Sequence, residues 1–152
     1  MLRIAGVEVD KTEHDLVIYS EGHNYWSTFK PIVEELLAAN QKIVFLTSSE
    51  KDPALALKHP LFEAKYIGEG NRAFVHLSFI EAKVCILTTP GLDVLQLKRS
   101  KGVEKYVHLL HSLSSVSLYK IFSFDYYDVI LCSGNYQKEE LRLLEARRGT
   151  DP

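Results

Sequence analysis

The stretch Tyr106-Val-His-Leu-Leu-His-Ser-Leu-Ser-Ser115 carries the side chains best suited to moving a proton. An apolar run ends in His111, and Ser112, Ser114 and Ser115 follow it. Imidazole takes or gives a proton near neutral pH, and hydroxyls both donate and accept hydrogen bonds. His108 stands inside the same run. On a strand, odd spacing sends two side chains to opposite faces, so His108 and His111 are not a chelating pair. His108 reads as a core histidine hydrogen-bonded to backbone, and His111 as the candidate base. A second polar cluster is Glu21-Gly-His-Asn24. Zinc would need a further ligand, which no local spacing supplies, so no metal or cofactor is expected.

Positioning these groups falls to short apolar runs that alternate with helix-like segments. Strands are expected at 15–20, 42–47, 64–68, 83–88, 105–110 and 128–133. Phe29, Ile32, Val33, Leu36 and Leu37 recur at helical spacing between Tyr25 and Asn40, where Asn40 is the stop signal. Asp52-Pro53 opens a short helix, with Asp as cap and Pro in the first turn. Asn71 is expected to cap a helix through Ala82, and Leu92–Leu97 to make one or two helical turns. Ser114 or Ser115 starts a helix toward Phe122, and an amphipathic helix runs from Gln137 to Arg148. The strands are apolar throughout rather than alternating, as when both faces of a sheet are covered. The fold class is therefore α/β: a doubly wound parallel sheet of about six strands, Rossmann-like.

In such a sheet ligands bind beyond the carboxyl ends of the strands. That edge collects 20–24, 47–50, 88–91, 111–112 and 133–135, loops rich in hydroxyls, glycines and amides. Helix N-termini that follow them suit an anion, although the same residues also serve as ordinary caps and turns. No Gly-x-Gly-x-x-Gly follows the first strand and no P-loop is present, which disfavours a dehydrogenase or NTPase. Gly68-Glu-Gly70 reads as a turn.

The 152 residues fit one domain, and a net charge of −2 argues against a general nucleic-acid binder. Cys85 and Cys132 lie in apolar runs and read as buried free thiols, which fits the reducing cytoplasm. The first residues, Met1-Leu-Arg-Ile-Ala-Gly-Val-Glu8, form neither a signal peptide nor a membrane span. Lys98-Arg-Ser-Lys101 reads as a solvated surface, with contact to an acidic membrane face as the sharper alternative. Phe122-Ser-Phe-Asp-Tyr-Tyr127 suits helix-to-sheet packing better than base stacking.

Four blocks carry a resemblance: Tyr19-Ser-Glu-Gly-His-Asn-Tyr-Trp26, Lys65-Tyr-Ile-Gly-Glu-Gly-Asn71, Thr88-Thr-Pro-Gly-Leu-Asp-Val94 continuing to Ser100, and Tyr106-Val-His-Leu-Leu-His-Ser112. Together they resemble the CDP-glycerol glycerophosphotransferase family, whose members build or prime teichoic-acid-like polymers. The resemblance spans roughly Asp15 to Arg148. It implies the N-terminal, acceptor-side half of a two-domain GT-B enzyme. The donor-binding C-terminal domain is expected to lie outside this sequence, and the chain alone to be inactive. The family's base is a histidine in a His-Gly step, which falls on His111. Here Ser112 replaces the glycine.

The resemblance further implies substrate-positioning roles. Thr89, Gly91, Ser112 and Ser114 would hold an acceptor phosphate or hydroxyl, and Glu21, Gly22 and Asn24 would line the interdomain cleft. The implied partners are CDP-glycerol and a phosphorylated or polyol acceptor, with no nucleic acid. The implied location is the cytoplasm, at the inner face of the membrane. A homo-oligomer stays open. Two rival readings are a non-catalytic paralogue that binds a phosphorylated ligand or a partner protein, and half of a GT-B sugar-nucleotide glycosyltransferase or epimerase.

Overall fold

The structure, a computed structural model, describes residues 2–4, 6–9 and 11–149. An antiparallel hairpin comes first, formed by β1 (Leu2–Ile4) and β2 (Val7–Val9). It lies against a helix of the main body, where His76 Nδ1 sits 3.1 Å from the Glu8 carbonyl oxygen. Six parallel strands follow: β3 (Glu13–Ser20), β4 (Ile43–Thr47), β5 (Phe62–Tyr66), β6 (Glu81–Leu87), β7 (Gly102–Leu109) and β8 (Val129–Leu131). Their spatial order is β5-β4-β3-β6-β7-β8. The chain starts in the middle, winds outward to β5, returns, and winds the other way to β8. Between β3 and β6 the winding direction reverses, which is where open α/β sheets take ligands. The fold is the expected doubly wound, Rossmann-like one.

Strand alternation divides the core in two. Val17, Tyr19, Val44, Leu46, Cys85, Leu87 and Tyr106 face one side with Ala73 and Leu77 of α2 (Asn71–Leu77). Leu16, Ile18, Ile43, Phe45, Ile86, Val107 and Leu109 face the other with Phe29 and Val33 of α1 (Trp26–Ala38). Because both faces are covered, all five residues of β4 are buried. Phe29, fully buried, meets the Phe45 ring edge-on at 5.7 Å. Emptying such a position costs about 3–5 kcal/mol. Asn40 ends α1 in the left-handed conformation at φ 59°, as its stop role requires. Asp52 caps the 3-10 turn Pro53–Ala56 by accepting from Ala54 N at 3.0 Å. Gly68 and Gly70 both take positive φ in the expected turn.

Several expectations fail for local reasons. The hairpin β1–β2 lies outside the expected strands. Helix α2 stops at Leu77 instead of Ala82. Ser78 Oγ bonds back to the Phe74 carbonyl at 2.7 Å, and Glu81 joins the sheet between Glu13 and Gly102. The cap position of α2 belongs to Gly70, and Asn71 makes no cap. Leu92–Leu97 forms turns without a helix. The helix expected from Ser114 or Ser115 reduces to a 3-10 turn, Val116–Leu118. Serine hydroxyls there bond the local backbone, Ser112 Oγ accepting from Ser114 N and Ser115 Oγ from Ser117 N. Such bonds compete with helical ones.

Strand β8 is shorter than expected and forms a sheet edge, with Val129 and Leu131 exposed. Helix α3 (Asn135–Arg148) closes the described chain. Cys132 is only partly buried, unlike Cys85. Arg99 is not merely solvated. It pairs with Asp128 at 3.1 Å and lies over the Tyr106 ring at 4.7 Å. Among the described residues no helix is long and apolar enough to cross a membrane.

Candidate functional site

The reversal between β3 and β6 brings three loops together. From β3 come Glu21, Gly22, Asn24 and Tyr25; from β6 come Thr88, Thr89 and Gly91; from β7 comes His111. Strand β6 lies between β3 and β7. The His111 loop nevertheless reaches across its end, so that the His111 ring meets Tyr25 edge-on with centroids 5.1 Å apart. His111 itself is exposed. Imidazole held on one face and open to solvent on the other can serve a substrate hydroxyl.

Each expected site residue has a definite place. Glu21 is partly buried. Burial raises the Tyr25 and Tyr127 hydroxyls above their usual range, and the Glu21 charge adds to this in both. Burial likewise holds Tyr19 up to about 12, against the opposing bond to Ser48 Oγ at 2.9 Å. Gly22 is extended, and its carbonyl accepts from Ser20 Oγ at 2.9 Å and Tyr25 N at 3.1 Å. Asn24 is exposed, and its backbone carbonyl accepts from Ser27 Oγ at 3.4 Å. His23 turns to Ser49, with Nδ1 3.5 Å from Oγ.

Gly91 is buried at φ 75°, and its N–H is already given to the Ser123 carbonyl at 2.8 Å. It shapes the β6 loop and has no amide left for a ligand. The Ser112 hydroxyl donates to Ser114 Oγ at 2.7 Å, so these two residues form one local turn beside His111.

That turn is held from behind by α3. Gln137, fully buried, donates through Nε2 to the Ser112 carbonyl at 2.8 Å and the Ser114 carbonyl at 3.4 Å. Its Oε1 accepts from Ser133 N at 2.8 Å. Tyr136 Oη donates to the Leu113 carbonyl at 2.8 Å, and Glu140 accepts from Val116 N at 2.7 Å. Three side chains on one helix therefore fix the loop that carries His111. Sequence reasoning missed all three, since a polar residue on a helix gives no sign of the loop it will meet.

Beneath His111 lies an inner layer. His108 is buried at 0% exposure, against Tyr127 at 4.8 Å, Phe124 at 4.9 Å and Tyr119 at 6.3 Å between ring centroids. The expected backbone interaction is weak: neither ring nitrogen meets a partner at full hydrogen-bond geometry, and the Thr89 backbone offers only a weak tie. Burial drives its pKa down to about 3, and the nearby His111 charge pushes the same way. A weak hydrogen-bonding interaction with the Thr89 backbone opposes both. The ring is therefore neutral near pH 7. The buried hydroxyls of Thr88 and Thr89 also lack partners. The Thr89 carbonyl accepts from Tyr127 Oη, tying the aromatic segment to the end of β6.

Phe124 and Tyr127 thus pack on the sheet as expected, but from turns rather than a helix. Among the described residues no cluster of His, Cys, Asp or Glu could hold a metal ion. No family model, curated protein or solved structure matches the chain.

Proposed function

We propose that the chain is the acceptor-side domain of a CDP-glycerol glycerophosphotransferase-like enzyme, with His111 as base. The observation that supports this most is the position of His111: exposed, braced by Tyr25, and set at the sheet's reversal point. In the reaction the acceptor hydroxyl gives its proton to His111 as its oxygen attacks the glycerol-bearing phosphorus of the donor. The new P–O bond forms in line with the one that breaks, and CMP leaves with the electron pair.

Glu21, Gly22 and Asn24 form the wall toward the donor. Thr89 and the Ser112–Ser114 turn flank the acceptor, and Gly91 sets the shape of the β6 loop. The residues gathered here include no Lys or Arg, so the donor's diphosphate finds its countercharge in a second domain. A second reading, a non-catalytic module that docks a partner protein, draws on Leu113, Leu118 and Ile121, which are 80%, 76% and 72% exposed.

Amide spectra of the chain test the assignment. Glycerol 3-phosphate is expected to shift signals of Glu21–Tyr25 and His111–Ser114, and CDP-glycerol to bind weakly. Tight CDP-glycerol binding by this chain alone, or shifts confined to other surfaces, overturns the reading. In a longer chain carrying a donor-binding domain, turnover that survives His111→Ala removes His111 as base. A complete lack of turnover in that longer chain favours the module.

A further inference from the structure

A groove of about 350 Å³ runs between α1 and the turn that precedes β5, and none of its lining residues belongs to the site above. Trp26, Val33, Leu37 and Ala38 of α1 and Leu57 of the turn form its apolar lining. Lys30, Glu34 and His59 complete it. That volume lies within the range of small-ligand sites, which combine apolar walls with a few polar groups. We propose that this groove binds a small apolar carboxylate, its hydrocarbon part against Trp26, Val33 and Leu57 and its carboxylate at Lys30 and His59. The site does not depend on the transferase reading.

Its walls are formed in advance. Val33 is fully buried. The Trp26 ring is fixed from behind, meeting Phe45 edge-on at 5.6 Å and Phe62 at 6.5 Å between centroids. Two bonds hold the turn opposite: Phe62 N donates to the His59 carbonyl and Leu61 N to His59 Nδ1, each at 3.1 Å. A site that needs no reordering loses less entropy when it is filled. Ala38 contributes only a methyl group, leaving room that a larger side chain would take.

The polar groups select an anion. Because His59 Nδ1 accepts from Leu61, the proton of the neutral ring sits on Nε2, which is then a donor. Lys30 is a second donor. Its Nζ lies 3.8 Å from Glu34 Oε1, beyond hydrogen-bonding distance, and both side chains are more than half exposed, so this pair holds it loosely. Lys58, next to His59 in sequence, adds positive charge. Donors thus outnumber the single carboxylate. A protein partner fits less well, since a stable interface covers about 800 Å² on each side. Of the exposed large apolar side chains among the described residues, only Leu57, at 36%, borders the groove. Nearby in sequence, Asn40, Gln41, Lys42 and Lys58 are polar and exposed.

Trp26 is the chain's one tryptophan, so its emission reports on the groove. The full chain is titrated near neutral pH with octanoate, 1-octanol and octylammonium, each below micelle-forming concentrations. Octanoate is expected to shift the Trp26 emission saturably, with a Kd on the order of 1 mM. 1-Octanol is expected to bind roughly three- to five-fold more weakly, the worth of an exposed charge contact, and octylammonium more weakly still. Lys30→Gln is expected to reduce the advantage of octanoate over 1-octanol. Ala38→Leu, at an exposed helix position that suits leucine, is expected to fill the groove and weaken octanoate binding about ten-fold or more.

An absent or unsaturable octanoate response overturns the proposal. Equal binding of octylammonium, or unchanged octanoate affinity in a folded Ala38→Leu variant, overturns it too. A response to phosphatidylglycerol vesicles with none to monomeric octanoate marks a membrane contact instead. Self-association of the wild type in sedimentation, abolished by Ala38→Leu, marks a second copy on this face and likewise overturns it. The wild-type titration decides the matter even where a variant does not fold. None of these outcomes bears on the transferase reading, which is tested at 21–25 and 111–114.

Discussion

His108 makes the stability of this protein depend on pH in a calculable way. In the folded chain burial holds its pKa near 3, whereas an unfolded histidine titrates near 6.5. The folded pKa lies below the unfolded one, so the unfolded state takes the proton first as pH falls. The associated stability is complete above about pH 6.5 and is lost between there and about pH 3, below which the loss levels off. In that window the loss is about 1.4 kcal/mol per pH unit. Between about pH 7.5 and about pH 4.5 it comes to roughly 2–3 kcal/mol, a large part of a small domain's total.

Asp15, Asp125 and Asp128, whose carboxyls are held below their usual range, add their own dependence. They are common to wild type and to a His108→Gln variant, so the difference between the two proteins isolates the histidine. Urea unfolding at several pH values measures it. Wild type is expected to lose stability relative to His108→Gln by the stated amount on acidification. A flat difference curve would falsify the claim that His108 is buried and neutral.

Three further substitutions probe the frame around the site. Gln137→Leu leaves Ser112 and Ser114 carbonyls and the Ser133 N–H without their partner, and is expected to cost about 2–4 kcal/mol and to speed amide exchange over 112–116; a loss under about 1 kcal/mol with unchanged exchange contradicts the clamp. Asp128→Ala removes an acceptor that takes Tyr106 N at 2.7 Å as well as Arg99, and should therefore destabilise by about 1–3 kcal/mol, more than Arg99→Ala at about 1 kcal/mol. Equal losses in thermal unfolding would mean that the ion pair, not the backbone bond, dominates. Gly91→Ala places a Cβ 2.7 Å from a Leu95 side-chain atom at φ 75°, and is expected to cost about 1–3 kcal/mol and to disturb the Thr88–Thr89 signals in amide spectra; a neutral result would show that the β6 loop does not depend on that turn.

The apolar runs and their helical neighbours were legible from residue order alone, because burial on both faces leaves a one-dimensional trace. That is why β3, β4, β6 and β7, and the helices α1 and α3, fall where patterning put them, and why their alternation implied a doubly wound parallel sheet. The failures are also local in origin. Ser78, Ser112 and Ser115 spend their hydroxyls on nearby backbone, which shortens or replaces a helix without altering the hydrophobic pattern that suggested it.

What only the tertiary structure decided concerns partners distant in sequence. Strand order placed the reversal between β3 and β6 and so brought Tyr25 to His111, although β6 stands between their strands. Packing put His108 among Phe124 and Tyr127, with only a weak tie to the Thr89 backbone, and left the threonine hydroxyls without a partner. Docking of α3 turned Gln137 into the clamp of the His111 loop. A residue's periodicity records how much water it must escape, whereas its hydrogen-bond partners depend on which strands become neighbours. The sequence by itself thus determined that a polar edge with a candidate base would exist, and the fold determined which atoms of that edge face one another.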